Sequence, residues 1–143
     1  MAQRLELQYC TKLESDVGLS AIKDSIEWLS INISKKFEFS TELIALKNLK
    51  VLCLNECGPI KNLNFLSQLP NLVDFRFVDT KILDGDLTPI LEHPNILNAG
   101  FLNKNNFSHK AEYIQEILNK RCLGRKISIF KGEYKTYKYD IFE

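Results

Sequence analysis

What this chain has little of narrows its class. Its formal net charge is +1, from 19 basic against 18 acidic residues. That leaves no electrostatic surplus to draw it to nucleic acid or to an acidic membrane. No stretch approaches the ~18 consecutive apolar residues of a membrane-spanning helix. The opening Met1-Ala-Gln-Arg-Leu-Glu lacks the apolar run of a secretory signal. Cysteine is sparse, four residues in all, and without such a signal these read as reduced thiols. Glycine is sparse too, six residues, with no Gly-rich phosphate loop. Neither a metalloprotease helix nor a nucleophile elbow is present. The expectation is one soluble, cytoplasmic, monomeric domain spanning 1–143, long enough to bury about 68% of its unfolded surface.

What the chain does have is an internal repeat. Leu49-Lys-Val-Leu52-Cys-Leu54-Asn-Glu-Cys57 and Leu72-Val-Asp-Phe75-Arg-Phe77-Val-Asp-Thr80 share one apolar pattern. A third copy is Ile96-Leu-Asn-Ala99-Gly-Phe101. Asn71 and Asn95, each after a proline, precede the last two copies. Counting back by the same interval gives two earlier copies, which start at Ile26 and Ala2. The five starts are therefore Ala2, Ile26, Leu49, Leu72 and Ile96, evenly spaced to within a single position. Positions 1, 4, 6 and 12 of the five copies make twenty sites, and all twenty are apolar. Chance gives that about once in ten million trials at this composition, before any allowance for the choice of offsets. The twelfth-position row is Leu13, Phe37, Ile60, Leu83 and Phe107. The ninth position, where a small polar side chain turns inward at a bend, holds Cys10, Ser34, Cys57 and Thr80. Lys104 breaks that row.

The pattern L-x-x-L-x-L-x-x-N/C/T is that of a leucine-rich repeat. Each copy would supply one strand and one return segment, and stacked copies would form a parallel sheet over a shared core. The expected fold is therefore an α/β leucine-rich repeat solenoid. It would have five repeats starting near 2, 26, 49, 72 and 96, short helices on one face and an atypical C-terminal cap over 122–143. Ser15-Asp16 should cap a helix in the first return segment, and Ser40 or Thr41 one in the second. Leu63, Leu66 and Leu69 place a helix in the third, and Pro89 starts a short one in the fourth. Ser108 should cap the longest helix, Lys110 to Arg121, whose apolar face is Ala111, Ile114, Ile117 and Leu118. Strands are expected at 126–130 and within the Tyr-rich segment from Gly132 onward.

Positions 3, 5 and 7 of each strand should point away from this core. They make three rows: Arg4, Trp28, Val51, Asp74, Asn98; Glu6, Ser30, Cys53, Arg76, Gly100; and Gln8, Asn32, Asn55, Val78, Leu102. With every return segment on the other side, this face should be open. Trp and Arg dominate interface energies, so Trp28, Val51, Cys53, Asn55, Asp74, Arg76, Val78 and Asn98 are the candidate partner-binding residues. A second reading packs Trp28 under a cap or neighbouring loop.

Other chemistry is set aside. Cys53 should point out and Cys57 in, so they diverge, whereas a zinc site with His93 or His109 needs convergent ligands. A Cys–His nucleophile fails on the same geometry. Asp84, Asp86 and Glu92 read as a solvated turn and helix start. Lys120, Arg121, Arg125 and Lys126 read as a solvated helix end. No catalytic role, metal or cofactor is expected.

Residues 2–121 resemble leucine-rich repeat proteins through Leu49-x-x-Leu52-x-Leu54-x-x-Cys57 and Pro70-Asn71-Leu72. That resemblance implies a module that binds another protein by its strand face and adjoining loops. The small size and Tyr-rich end also resemble small bacterial leucine-rich-repeat-like immunity proteins, which neutralise polymorphic toxins. The alternatives are a cytoplasmic scaffold or adaptor and, less in keeping with the residues, an enzyme.

Overall fold

The computed structural model describes residues 4–8, 23–35 and 43–122. The expected helix at Ser15-Asp16, the inward Cys10 and Phe37, the Ser40 or Thr41 cap, and the strands and cap beyond 122 lie outside the described residues. Five strands form one parallel sheet in chain order. They are β1 (Arg4–Gln8), β2 (Trp28–Ser34), β3 (Val51–Cys57), β4 (Asp74–Arg76) and β5 (Asn98–Gly100). The strands pair Arg4 with Trp28, Trp28 with Val51, Val51 with Asp74, and Asp74 with Asn98. Each of these residues is the third of its copy, so the pairing register is the sequence repeat itself. Leu29, Leu52, Phe75 and Ala99 therefore stack as one row, and Ile31 and Leu54 as the next. All are buried in the main core.

The return segments carry apolar side chains every third residue: Leu43, Leu46 and Leu49; Leu63, Leu66, Leu69 and Leu72. All seven are buried. A spacing of three suits the 3₁₀ helix, with its three residues per turn. The chain accordingly forms its expected short helices here as 3₁₀ turns, at Leu43–Ala45 and Asn64–Gln68. The fourth return holds a single α turn, α1 (Thr88–Glu92), with Pro89 in its first turn. Asp86 accepts the Thr88 N–H at 3.0 Å. The Thr88 hydroxyl and amide hold that carboxyl below the usual carboxylate range. The fifth return holds α2 (Ala111–Cys122), which buries Ile114 and Leu118.

Two expectations change. Ser108 does not cap α2: its Oγ accepts the Leu87 N–H at 2.9 Å and ties the two return segments together. Asn103 Oδ1 accepts the Ala111 N–H at 2.7 Å in its place. Leu83 leaves the twelfth-position row and is 60% exposed. The fourth copy reaches its inward residue one position sooner, so Ile82 pairs with Ile60 and is buried.

Two ladders lock the copies at the strand ends. At the entrance, the Asn48, Asn71 and Asn95 side-chain amides donate to the carbonyls of Asp24, Lys47 and Pro70 at 3.1, 2.9 and 2.9 Å. At the exit, the eighth residue of three successive copies is left-handed: Ile33 (φ 55°), Glu56 (φ 53°) and Asp79 (φ 54°). That residue turns the ninth side chain inward. Cys57 Sγ then donates to Ile31 O at 3.2 Å, and Thr80 Oγ1 donates to Leu54 O.

A β-branched residue in the left-handed region costs roughly 1–2 kcal/mol. Ile33 adopts that conformation and is only half-buried. Ile33→Asn should therefore stabilise the fold by about 1 kcal/mol in urea unfolding. A loss of stability would show that the Ile33 packing outweighs the backbone strain.

Candidate partner-binding surface

The outward columns have the expected membership, but they are not an open face. Trp28 is 2% exposed, Val51 and Asp74 are 0%, Asn98 is 5% and Cys53 is 4%. Ser30 is buried beside them. The physical reason is that alternation sets only the direction of a side chain, and large apolar side chains such as Trp28 find cover. Here the first column is either apolar, Trp28 and Val51, or tied by hydrogen bonds.

The tied part is a buried carboxylate with its partners. Asp74 Oδ2 accepts from Arg76 Nη2 at 3.1 Å, and Asp74 Oδ1 accepts from Asn98 Nδ2 at 2.9 Å. Arg76 thus neutralises Asp74 in place, and Asp74 is not held out for a basic partner. The Arg76 stem lies over Gly100, where an added Cβ would come 3.1 Å from Arg76 Cγ.

Access opens toward the strand ends and toward the later copies. Asn32, Asn55, Arg76 and Val78 are half-buried, and Leu102 is 52% exposed. Asn55 is itself structural: Nδ2 donates to Asn32 Oδ1 at 3.1 Å, while Oδ1 accepts the Val78 N–H at 2.9 Å. Beside Val78 and Leu102, Lys104 Nζ meets Asp79 Oδ1 at 3.2 Å. Of the eight candidate residues, then, Asn55, Arg76 and Val78 lie on an accessible rim. Trp28, Val51, Cys53, Asp74 and Asn98 form a second buried layer. Leu102, Asp79 and Lys104 join the rim. Leu102 already belongs to the seventh-position row, and it is exposed as that row was expected to be.

Cys53 and Cys57 are buried packing residues. Burial pushes the Cys57 thiol up to about 12, so at neutral pH it stays protonated, which is not the nucleophilic form. Among the described residues no group of three His, Cys, Asp or Glu side chains converges on a metal position. No helix among them is long and apolar enough to cross a membrane. Arg121 is not a solvated helix end. Its guanidinium donates to the carbonyls of Leu91, His93 and Ile96 and clamps α2 onto the chain entering β5.

Comparison with protein-family models, with curated proteins and with solved structures found no match.

Proposed function

We propose that the chain is a leucine-rich-repeat module that binds a partner protein along the rim where its strands end. One observation carries the reading. Successive copies place Val78 and Leu102 at one position of the repeat, on the accessible side of a sheet whose first outward column, Trp28, Val51, Asp74 and Asn98, is buried. A half-exposed leucine beside a half-buried valine, bordered by the Asp79–Lys104 pair, has the make-up of a small interface core with a charged rim. Buried cysteines and an internally paired Asp74 favour recognition over catalysis.

The test uses the full chain as bait in lysate of its source organism, followed by calorimetry with the purified captured protein. Leu102→Asp should leave the melting temperature unchanged, since the side chain is exposed. Affinity should drop about thirtyfold, which is ~2 kcal/mol, the size of an interface hot spot. Unchanged affinity would remove the rim from the site. The captured protein's own activity then separates a toxin domain, as an immunity protein would bind, from the client of a scaffold.

A further inference from the structure

The position three residues before the start of the last three copies holds Leu46, then Leu69, then His93, all buried. A titratable ring thus stands where packing alone serves the two preceding copies. Its hydrogen bonds fix its protonation. Nδ1 accepts the backbone N–H of both Asn95, at 3.1 Å, and Ile96, at 3.2 Å, so it carries no proton. The proton is therefore on Nε2, which donates to Leu69 O at 2.8 Å. The neutral ring joins the third return segment to the turn that feeds β5.

We propose that His93 is an acid-sensitive latch whose protonation releases the Pro94–Ile96 turn and loosens the junction between the third and fourth return segments. A proton on Nδ1 would face two N–H donors and leave both without an acceptor. The imidazolium would also be a buried charge. Among the described residues, the charged groups around it come from two elements. Arg121 of α2 donates to His93 O at 2.6 Å, and its charge opposes a second cation there. Glu92 of α1 adjoins it in the chain and is exposed to solvent. The Asn64–Gln68 turn and β5 carry no charge. Burial and the Arg121 charge both hold the ring below the ordinary histidine range, with Leu69 O opposing them. The region able to respond is a cavity of about 460 Å³ between the Asn64–Gln68 turn and α1, with His93 on its wall.

The sign follows from linkage. The folded state keeps the ring neutral, while in the unfolded chain it titrates near pH 6.5. Stability from this group is complete above that pH. It is lost as pH falls, by up to about tenfold in the folding equilibrium constant per pH unit, until the depressed folded pKa is reached.

The experiment is NMR on the full chain from about pH 7.5 to about pH 5.5, above the range where ordinary carboxylates titrate. His93 should show the Nε2-protonated tautomer and a midpoint below about 6.5. Exchange of the Asn95 and Ile96 amides, corrected for intrinsic rate, should accelerate across that range, by up to about tenfold. The Leu54 amide should accelerate less. His93→Leu, which restores the residue type of the two preceding copies, should remove the acceleration. A ring that titrates at or above about 6.5, an Nδ1-protonated tautomer, or Asn95 and Ile96 exchange that ignores pH would overturn the proposal. These wild-type readouts decide the matter even if His93→Leu does not fold.

Discussion

Trp28→Ala is expected to cost about 3–5 kcal/mol of folding stability, as for other fully buried aromatic side chains. Trp28 begins β2, pairs across to Arg4 and Val51, and is 2% exposed. An open-face reading of the same residue would give almost no loss, because exposed substitutions stay within about 0.5 kcal/mol. Urea unfolding followed by circular dichroism is the right measurement, since the substitution deletes the one tryptophan in the chain. In the wild type that tryptophan should emit as an indole shielded from water. Arg76→Ala is likewise no clean probe of binding. It would strip the buried Asp74 carboxylate of its cation, and breaking one side of a buried pair is destabilising in its own right.

Phe77→Ala should be at least as damaging. The Phe77 ring stacks on Phe75 with centroids 5.1 Å apart and on Phe101 at 4.8 Å, and meets Phe107 edge-on at 5.9 Å. One truncation removes three aromatic contacts and opens a cavity beneath β4. The expected cost is about 4–5 kcal/mol, from the large-to-small penalty with part of the ring-pair energy added. Domains of this size are stable by roughly 5–15 kcal/mol, so the loss is about a quarter of the total or more. A midpoint within the error of wild type would contradict the stacking of the fourth and fifth copies.

The inward rows are legible in the sequence because two periods coincide there. Alternation of two defines a strand face, and the longer interval between copies aligns Leu29, Leu52, Phe75 and Ala99. The return segments are half legible. A spacing of three is visible in Leu63, Leu66 and Leu69, yet over so short a run it fits an α-helix nearly as well as the 3₁₀ geometry the chain adopts. The left-handed turn at the eighth position is hidden, since Ile33, Glu56 and Asp79 are three different residue types and none is glycine or asparagine. The asparagine ladder leaves a signal: Asn48, Asn71 and Asn95 all stand immediately before a start. So does the latch, through the series Leu46, Leu69, His93.

The outer face is where sequence and structure part furthest, for a definite reason. Alternation says which way a side chain points, not whether water reaches it. Trp28 and Val51 are apolar, while Asp74 and Asn98 are polar and bonded to each other. In sequence that mixture resembles an interface. In the fold it is a second buried layer with Asp74 and Asn98 paired, while the row ending in Val78 and Leu102 reaches solvent.

Hydrogen–deuterium exchange of the full chain, with and without the captured partner, tests the rim most directly. Exchange should slow in three separated stretches of successive copies, 55–57, 78–80 and 102–104, while the return side at Asn64–Gln68 and α1 keeps its free-chain rates. Slowing confined to the return side, with the three strand-end stretches unchanged, would contradict the account.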